Sequence, residues 1–287
     1  MPAPQHHLVI ARYAEDLGWI EAVPEDFAIT IYNKGAPLLP IGPRLSRAEI
    51  LEVPNQGRES ETYLRHLLSR EWQAPGFTVL TQGDPLEHSP DFLTLIRETG
   101  IWRPVQPLAL QWKASAAVPP PAILESQRAD HLPQGRLRRE VFSLHTMAPM
   151  HFYDWGGYNM SATYRAAYGL SPAANIAEHF LRRCLLERRA EEAGRHLAGA
   201  FSYGAILGIS AERIAQVSPQ VLSAMYGASL EHPINGYMFE RLWLHLFGEP
   251  FLFPSGDLSL SGNVSPPGDQ CELMTRTARL PVPEYMA

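Results

Sequence analysis

The sequence predicts an α/β domain with a mixed or mostly parallel sheet flanked by helices. Three observations predict it. Apolar runs at 7–13, 27–33 and 77–81 have strand length and are rich in β-branched residues. A helical pattern falls before the third run, and alternation of strand and helix points to parallel pairing. The third run then halts at Gln82-Gly83-Asp84-Pro85, where a glycine and the residue before a proline favour a turn. Asp84 and His88 are thereby left at the carboxyl end of a predicted central strand, the edge at which open α/β sheets place ligands.

Taken in order, HLVIARY at 7–13 is the first strand, and Ala14 to Ile20 sets acidic residues before apolar ones, as at a helix start. FAITIYN at 27–33 is the second strand, closed by Lys34-Gly35. Pro37, Pro40 and Pro43 predict an extended surface loop over 36–53. Asn55 or Gly57 opens a helix whose apolar face holds Tyr63, Leu64, Leu67 and Leu68. After the strand that ends at Gln82, residues 102–172 read as a loop-rich insertion. Pro104, Pro107 and Pro119 to Pro121 interrupt it, and Arg136 to Arg139 reads as a solvated face. Its 151–171 end is dense in aromatics, including Tyr158; these either stack on a sugar or base or form an irregular packed lid.

Residues 173–198 carry one long helical pattern, with Cys184 on its apolar face. FSYGAILGI at 201–209 reads as a strand, Ser210 as the cap of a following helix, and 235–247 as an amphipathic helix ended by Gly248. The expected organisation is one catalytic-type domain over 1–250 and an irregular Pro/Gly-rich tail over 251–287.

At 287 residues with 45% hydrophobic and 19% charged residues, the chain is long and apolar enough for a substantial core. A net charge of −6 argues against a general nucleic-acid partner. Cys184 and Cys271 form neither a zinc motif nor a disulfide framework. No membrane span and no secretory leader are read, so the expected location is cytoplasmic. The glycine-rich phosphate loops and the G-x-S-x-G elbow are missing, which disfavours dinucleotide enzymes, P-loop NTPases and esterases.

Several segments resemble a domain-of-unknown-function family: ARYAEDLGWI at 11–20, IYNKG at 31–35, NQGRESETYLRHL at 55–67 and VLTQGDPLEH at 79–88. FSYGAILGISAERI at 201–214 and MFERLWLHLFG at 238–248 extend the likeness into the second half. Ala14 stands where the first motif has Asn. That family in turn resembles glycosyltransferases of the Rossmann-like GT-A fold, in which an Asp-x-Asp motif at a strand end holds a divalent metal and the sugar-nucleotide diphosphate. Gln82-Gly83-Asp84 occupies the matching place with one carboxylate, which weakens a Mn²⁺ or Mg²⁺ site, since hard cations take several oxygen ligands.

The resemblance implies a transferase moving a sugar from a nucleotide-sugar donor to a hydroxyl or amide acceptor. Asp84 and Glu240 are its candidate catalytic groups, and Asp84, His88 and His245 its candidate metal ligands. Glu15, Asp16, Asn33, Lys34, Arg58, Glu59, Gln82 and Tyr158 are candidate substrate contacts. Each has a plainer reading. Asp84 suits a turn that bonds its own backbone, Glu15 and Asp16 a helix start, and Arg58 and Glu59 a surface pairing with Glu61 and Arg65. His245 suits a satisfied interior histidine, Glu240 an anchor to a backbone amide, and Lys34 a solvated turn. Glu240 and Arg241, one apart on a helix, are not expected to pair. A metal-dependent oxygenase or hydrolase using His88, His145 or His151 with Asp154 is one alternative; a non-catalytic carbohydrate- or peptide-binding relative is another.

Overall fold

A computed structural model describes residues 3–39, 42–69, 75–109, 129–132, 135–138, 140–149 and 155–255. The compact unit runs Met1–Ser255, past the expected boundary at 250, because Leu252 and Pro254 pair with Ala198 and His196. Residues 256–287, most of the expected tail, lie outside the described residues.

The central sheet has six strands: β1 (His6–Arg12), β2 (Phe27–Asn33), β3 (Glu49–Glu52), β4 (Phe77–Gln82), β5 (Val105–Pro107) and β10 (Leu207–Ser210). Their spatial order is β3-β2-β1-β4-β10-β5, with β1 to β4 parallel and β10 antiparallel to both neighbours. The sheet is therefore mostly parallel and covered on both faces, which is why β1 reads as one continuous apolar run. Val9, Ala11, Tyr32 and Leu80 face one core with Tyr63, Leu64 and Leu67 of α1 (Arg58–Ser69). Leu8, Ile10, Ile29, Ile31 and Val79 face the other, with Leu17, Ile20 and residues of the short α2 (Phe92–Leu95).

The chain after β5 adds a hairpin, β6 (Ala129–Leu132) with β7 (Gly135–Arg138), and β8 (Glu140–Ser143). Helices follow around the first core. They are α3 (Trp155–Tyr168), α4 (Ile176–Arg183), α5 (Glu187–Gly194) and, beyond β9 (His196–Phe201) and β10, α6 (Ala211–Ala215). Then come α7 (Pro219–Glu231), α8 (Ile234–Leu246) and β11 (Leu252–Pro254). β9 is the middle strand of a three-stranded antiparallel sheet with β8 and β11. Among the described residues no helix is long and apolar enough to cross a membrane.

Strands 1, 2 and 4 and helices 1 and 8 form where the periodicity predicts them. Elsewhere the structure differs. The predicted loop over 36–53 contains a 3-10 turn at Leu45–Arg47 and the edge strand β3, whose exposed glutamates flank Ile50 and Leu51. The expected helix at Ala14 starts later, as a 3-10 turn over Gly18–Ala22. The single helix expected over 173–198 is two, broken at Leu185, which takes φ 59. The strand expected over 201–209 is interrupted by a 3-10 turn at Tyr203–Ala205, where Gly204 has φ 62. The aromatic segment forms α3 from Trp155 onward. Helix α7 lies between predicted elements; Ser218 caps it and Pro219 stands in its first turn, a start signal that is present in the sequence.

Candidate functional site

The strand order places a topological switch point between β1 and β4. The chain leaves β1 toward β2 and β3 on one side, then returns to pair β4 on the other. In such sheets the crevice at the carboxyl ends of the two diverging strands is where ligands bind.

Tight turns build the rim of that crevice. The Glu15 carboxylate accepts from the Tyr13 and Ala14 amides at 2.7 and 3.0 Å, and the Arg12 Nε donates to the Glu15 carbonyl. Trp19 Nε1 donates to the Gly83 carbonyl at 2.9 Å, tying the β1 turn to the β4 turn. Any side chain at 83 would meet the Glu15 carboxylate at 2.5 Å, so the glycine there permits the close approach. Asp16 Oδ1 accepts from Gly18 N, and Asp84 Oδ1 accepts from Leu86 N at 3.0 Å. Both aspartates are exposed and both shape their own turns. The second Asp84 oxygen makes no bond among the described residues.

Beside this rim a second, more buried group assembles from segments far apart in sequence. Glu240 of α8 accepts from the Gly204 amide at 3.3 Å. Gly204 in turn lies against the His88 ring and the Gln82 amide; a Cβ on it would fall 2.6 and 3.1 Å from them. The His88 ring packs on Tyr203, centroids 5.4 Å apart. Glu240 also pairs with Arg241 at 3.2 Å, contrary to the expectation from their spacing. The buried Arg241 guanidinium stacks over Phe201, 4.1 Å from the ring centroid.

Glu59 lies in the first turn of α1. Burial first, and the Glu240 charge second, lift its carboxyl from 4.5 to about 7, against the lowering effect of Arg58 and Lys34. Arg58 is exposed at the start of α1, donating to the Tyr237 hydroxyl at 2.8 Å with its guanidinium 4.2 Å from that ring. Gly57 and Arg58 are both left-handed, φ 61 and 53, a strained entry into the helix for a residue with a side chain.

Other predicted contacts lie beneath the surface. Lys34 is buried, 2.9 Å from the buried Glu61 carboxylate, and donates to the Gln56 and Arg58 carbonyls. It braces the start of α1 and neither solvates a turn nor reaches outward. Glu61, expected at the surface, is fully buried between Lys34, Arg65 and the Tyr226 hydroxyl. Asn33, also fully buried, accepts from Arg12 and donates to Glu52 and Ala36.

His245 is interior as well. Its Nε2 bonds the Ala200 amide and its Nδ1 the Glu249 carbonyl, which takes both nitrogens from any metal. Tyr158 is 44% exposed on α3. His145 sits in the turn after β8, and His151 and Asp154 lie outside the described residues.

Among the described residues, no group of three or more His, Cys, Asp or Glu side chains is placed to hold a metal ion. Asp84, His88 and His245 thus do not form the expected ligand set. A cavity of about 570 Å³ opens at the opposite, amino-terminal edge of the sheet, near His7, Thr30 and Arg44. Its polar groups bond one another: His7 to Thr30, Thr30 to Glu49, and Arg44 to Glu25. We place the candidate site at the carboxyl edge for that reason.

In the sequence, Tyr63, Tyr203, Gly204 and Tyr237 read as core or strand residues, and Arg241 reads as a helix residue not expected to pair with Glu240. Arg241, a cation within an apolar helical run, was the visible signal among them. No protein-family model, curated protein or solved structure matches the chain.

Proposed function

We propose that the carboxyl edge of the sheet is the active site of a GT-A-type glycosyltransferase, moving a sugar from a nucleotide-sugar donor to a hydroxyl or amide acceptor. The observation that carries the reading is convergence. Arg58 and Glu59 of α1, Gln82 at the end of β4, Asp84 and His88 after it, and Glu240 of α8 gather beside one switch point.

Such a transfer needs the leaving diphosphate neutralised, the acceptor's proton removed and water excluded. The exposed Arg58 guanidinium at the amino end of α1 suits the diphosphate, since a helix start and a forked cation both favour phosphate oxygens. The Glu59 and Glu240 carboxylates suit the proton transfer. His88, half-exposed against Tyr203, suits a hydrogen bond to the donor. A divalent ion here would have Asp84 as its protein carboxylate and would take its other ligands from phosphate and water, as Mg²⁺ sites commonly do.

The test is thermal unfolding with UDP- and GDP-sugars, each with and without Mn²⁺. A donor present at 100 times its Kd should add about 2.7 kcal/mol, a rise of several degrees in Tm. No rise with any nucleotide-sugar at millimolar concentration would overturn the reading.

A further inference from the structure

At the amino-terminal edge of the sheet, β2 and β3 begin at different levels. β3 pairs β2 from Thr30 and Glu49 onward, which leaves Phe27, Ala28 and Ile29 of β2 without a partner in β3. The 3-10 turn before β3 runs beside them instead, and Arg44 at its head donates to the Phe27 carbonyl at 3.0 Å. The cavity of about 570 Å³ lies at this notch, with those three residues, Arg44, Arg47 and Glu49 in its lining. That volume is within the range of small-molecule sites.

The charges of the lining are held apart. Glu25 pairs with both Arg44 and Arg47, at 3.3 and 2.8 Å, so one carboxylate answers two cations. Arg47 also donates from Nε to the Pro43 carbonyl, while its Nη1 makes no bond among the described residues. Glu49 stands in the opposite condition. Its Oε2 accepts from the Thr30 hydroxyl at 3.1 Å, and no cation pairs with it among the described residues. The Thr30 proton is thus committed to Glu49, so Thr30 accepts in turn from His7 Nε2, 2.8 Å away. His7 and Thr30 are buried, and this chain of bonds across β1, β2 and β3 fixes the Glu49 carboxylate. Its Oε1 keeps its acceptor capacity, with no bond among the described residues.

A guest that suits this lining carries charge of both signs. An ammonium answers Glu49, and a carboxylate answers the forked guanidinium of Arg47. A phosphate alone would meet Glu25 and Glu49, and an amine alone would meet the two arginines; like charges set together disfavour both. Between the charged groups, Phe27, Ala28 and Ile29 offer apolar surface.

We propose that the notch between β2 and β3 binds a zwitterionic amino-acid ligand, either a free α-amino acid with an apolar side chain or a dipeptide. Its ammonium sits at Glu49, its carboxylate at Arg47 and its apolar side chain against the exposed end of β2. The inference is independent of the transferase reading, because the notch lies at the edge of the sheet opposite the candidate active site.

The experiment is calorimetric titration of the full chain with L-leucine and with L-leucyl-L-alanine, each beside its N-acetyl and its amide form. At least one zwitterion should bind saturably with a Kd at or below about 1 mM, and each blocked form should bind about tenfold or more weakly than its parent. Whichever parent binds tells the free amino acid from the dipeptide. Replacing leucine by glycine in that parent should cost at least about tenfold, since the apolar contact is lost. Neither zwitterion binding at about 10 mM, or a blocked form or the glycine form binding as tightly as its parent, overturns the proposal.

Substitutions then assign each charge. Glu49→Gln keeps the acceptor for Thr30; it should weaken the zwitterion about tenfold and not weaken the N-acetyl form, which has no ammonium. Arg47→Met should weaken the zwitterion and spare the amide form, which has no carboxylate. Both positions are exposed, so both variants should keep the wild-type Tm. Asp84→Asn, at the opposite edge, should bind as wild type. Binding lost in Asp84→Asn, or indifferent to both Glu49→Gln and Arg47→Met, would place the guest elsewhere and sink the assignment.

Discussion

Lys34 and Glu61 form a buried ion pair, 2.9 Å from nitrogen to oxygen, with side chains 4% and 0% exposed. The pair joins the end of β2 to the first turn of α1, and Lys34 also holds the Gln56 and Arg58 carbonyls. It is therefore the strut that presents Arg58 and Glu59 at the sheet edge. Removing one partner leaves the other charge buried, which typically costs about 3–5 kcal/mol. Lys34→Met or Glu61→Gln should each lower stability on that scale in urea unfolding, with the m-value unchanged. If either costs less than about 1 kcal/mol, the pair is not the strut described.

Gly35 follows at once, and its backbone runs against the β1 turn. A Cβ there would lie 1.8 Å from the Tyr13 carbonyl oxygen, a clash with main chain that no rotamer relieves. Gly35→Ala should destabilise by at least about 2 kcal/mol, with Gly100→Ala as the control. Gly100 has open space around its Cα and should tolerate alanine with little change or a small gain. Comparable thermal midpoints for the two variants would mean that the Tyr13 turn relaxes freely.

What was legible in the sequence divides along physical lines. Strands β1, β2 and β4 are apolar on both faces, and α1 and α8 have clear apolar stripes, so burial itself writes their pattern. Glu59 and Glu240 can be named as polar residues of interest, yet the influence of the Glu240 charge on Glu59 depends on how α1 packs against α8, which no local pattern encodes. Lys34 illustrates the converse. After IYN it reads as a turn lysine, and only its partner Glu61, far along the chain, explains its burial. The 201–209 run reads as one strand because Tyr203 to Ala205 are small or aromatic; Gly204 takes a positive φ there, which an apolar count does not register.

Asp84 separates architecture from chemistry by a single substitution. Its Oδ1 accepts from Leu86 N in an exposed turn, a bond worth roughly 0.5–1.5 kcal/mol. Asp84→Asn retains that acceptor and removes the charge. The variant should keep the wild-type Tm within about 1–2 °C and lose the thermal shift with a nucleotide-sugar and Mn²⁺. A retained ligand shift in Asp84→Asn would show that the carboxylate serves the turn alone.

Two titratable groups, Glu59 and the buried His66, give the fold opposite responses to acid. Glu59 has its carboxyl raised from 4.5 to about 7, chiefly by burial and then by Glu240. Between those values the folded chain holds a proton that the unfolded chain releases, so this group's contribution is largest in acid and is lost as pH rises through 7. His66 is lowered from 6.5 to about 3, first by burial and then by His7. Below 6.5 the unfolded chain takes up a proton that the folded chain refuses, so the His66 contribution is lost as pH falls.

From about 4.5 to 6.5 the two slopes oppose each other, each at most ~1.4 kcal/mol per pH unit. Glu59→Gln should unmask the histidine and make stability fall more steeply toward acid than in the wild type. His66→Gln should do the reverse, leaving stability that rises as pH drops from 7 to 4.5. Urea midpoints measured at half-unit steps, compared with wild type, decide it. Parallel curves for all three proteins would mean that neither group titrates differently on folding.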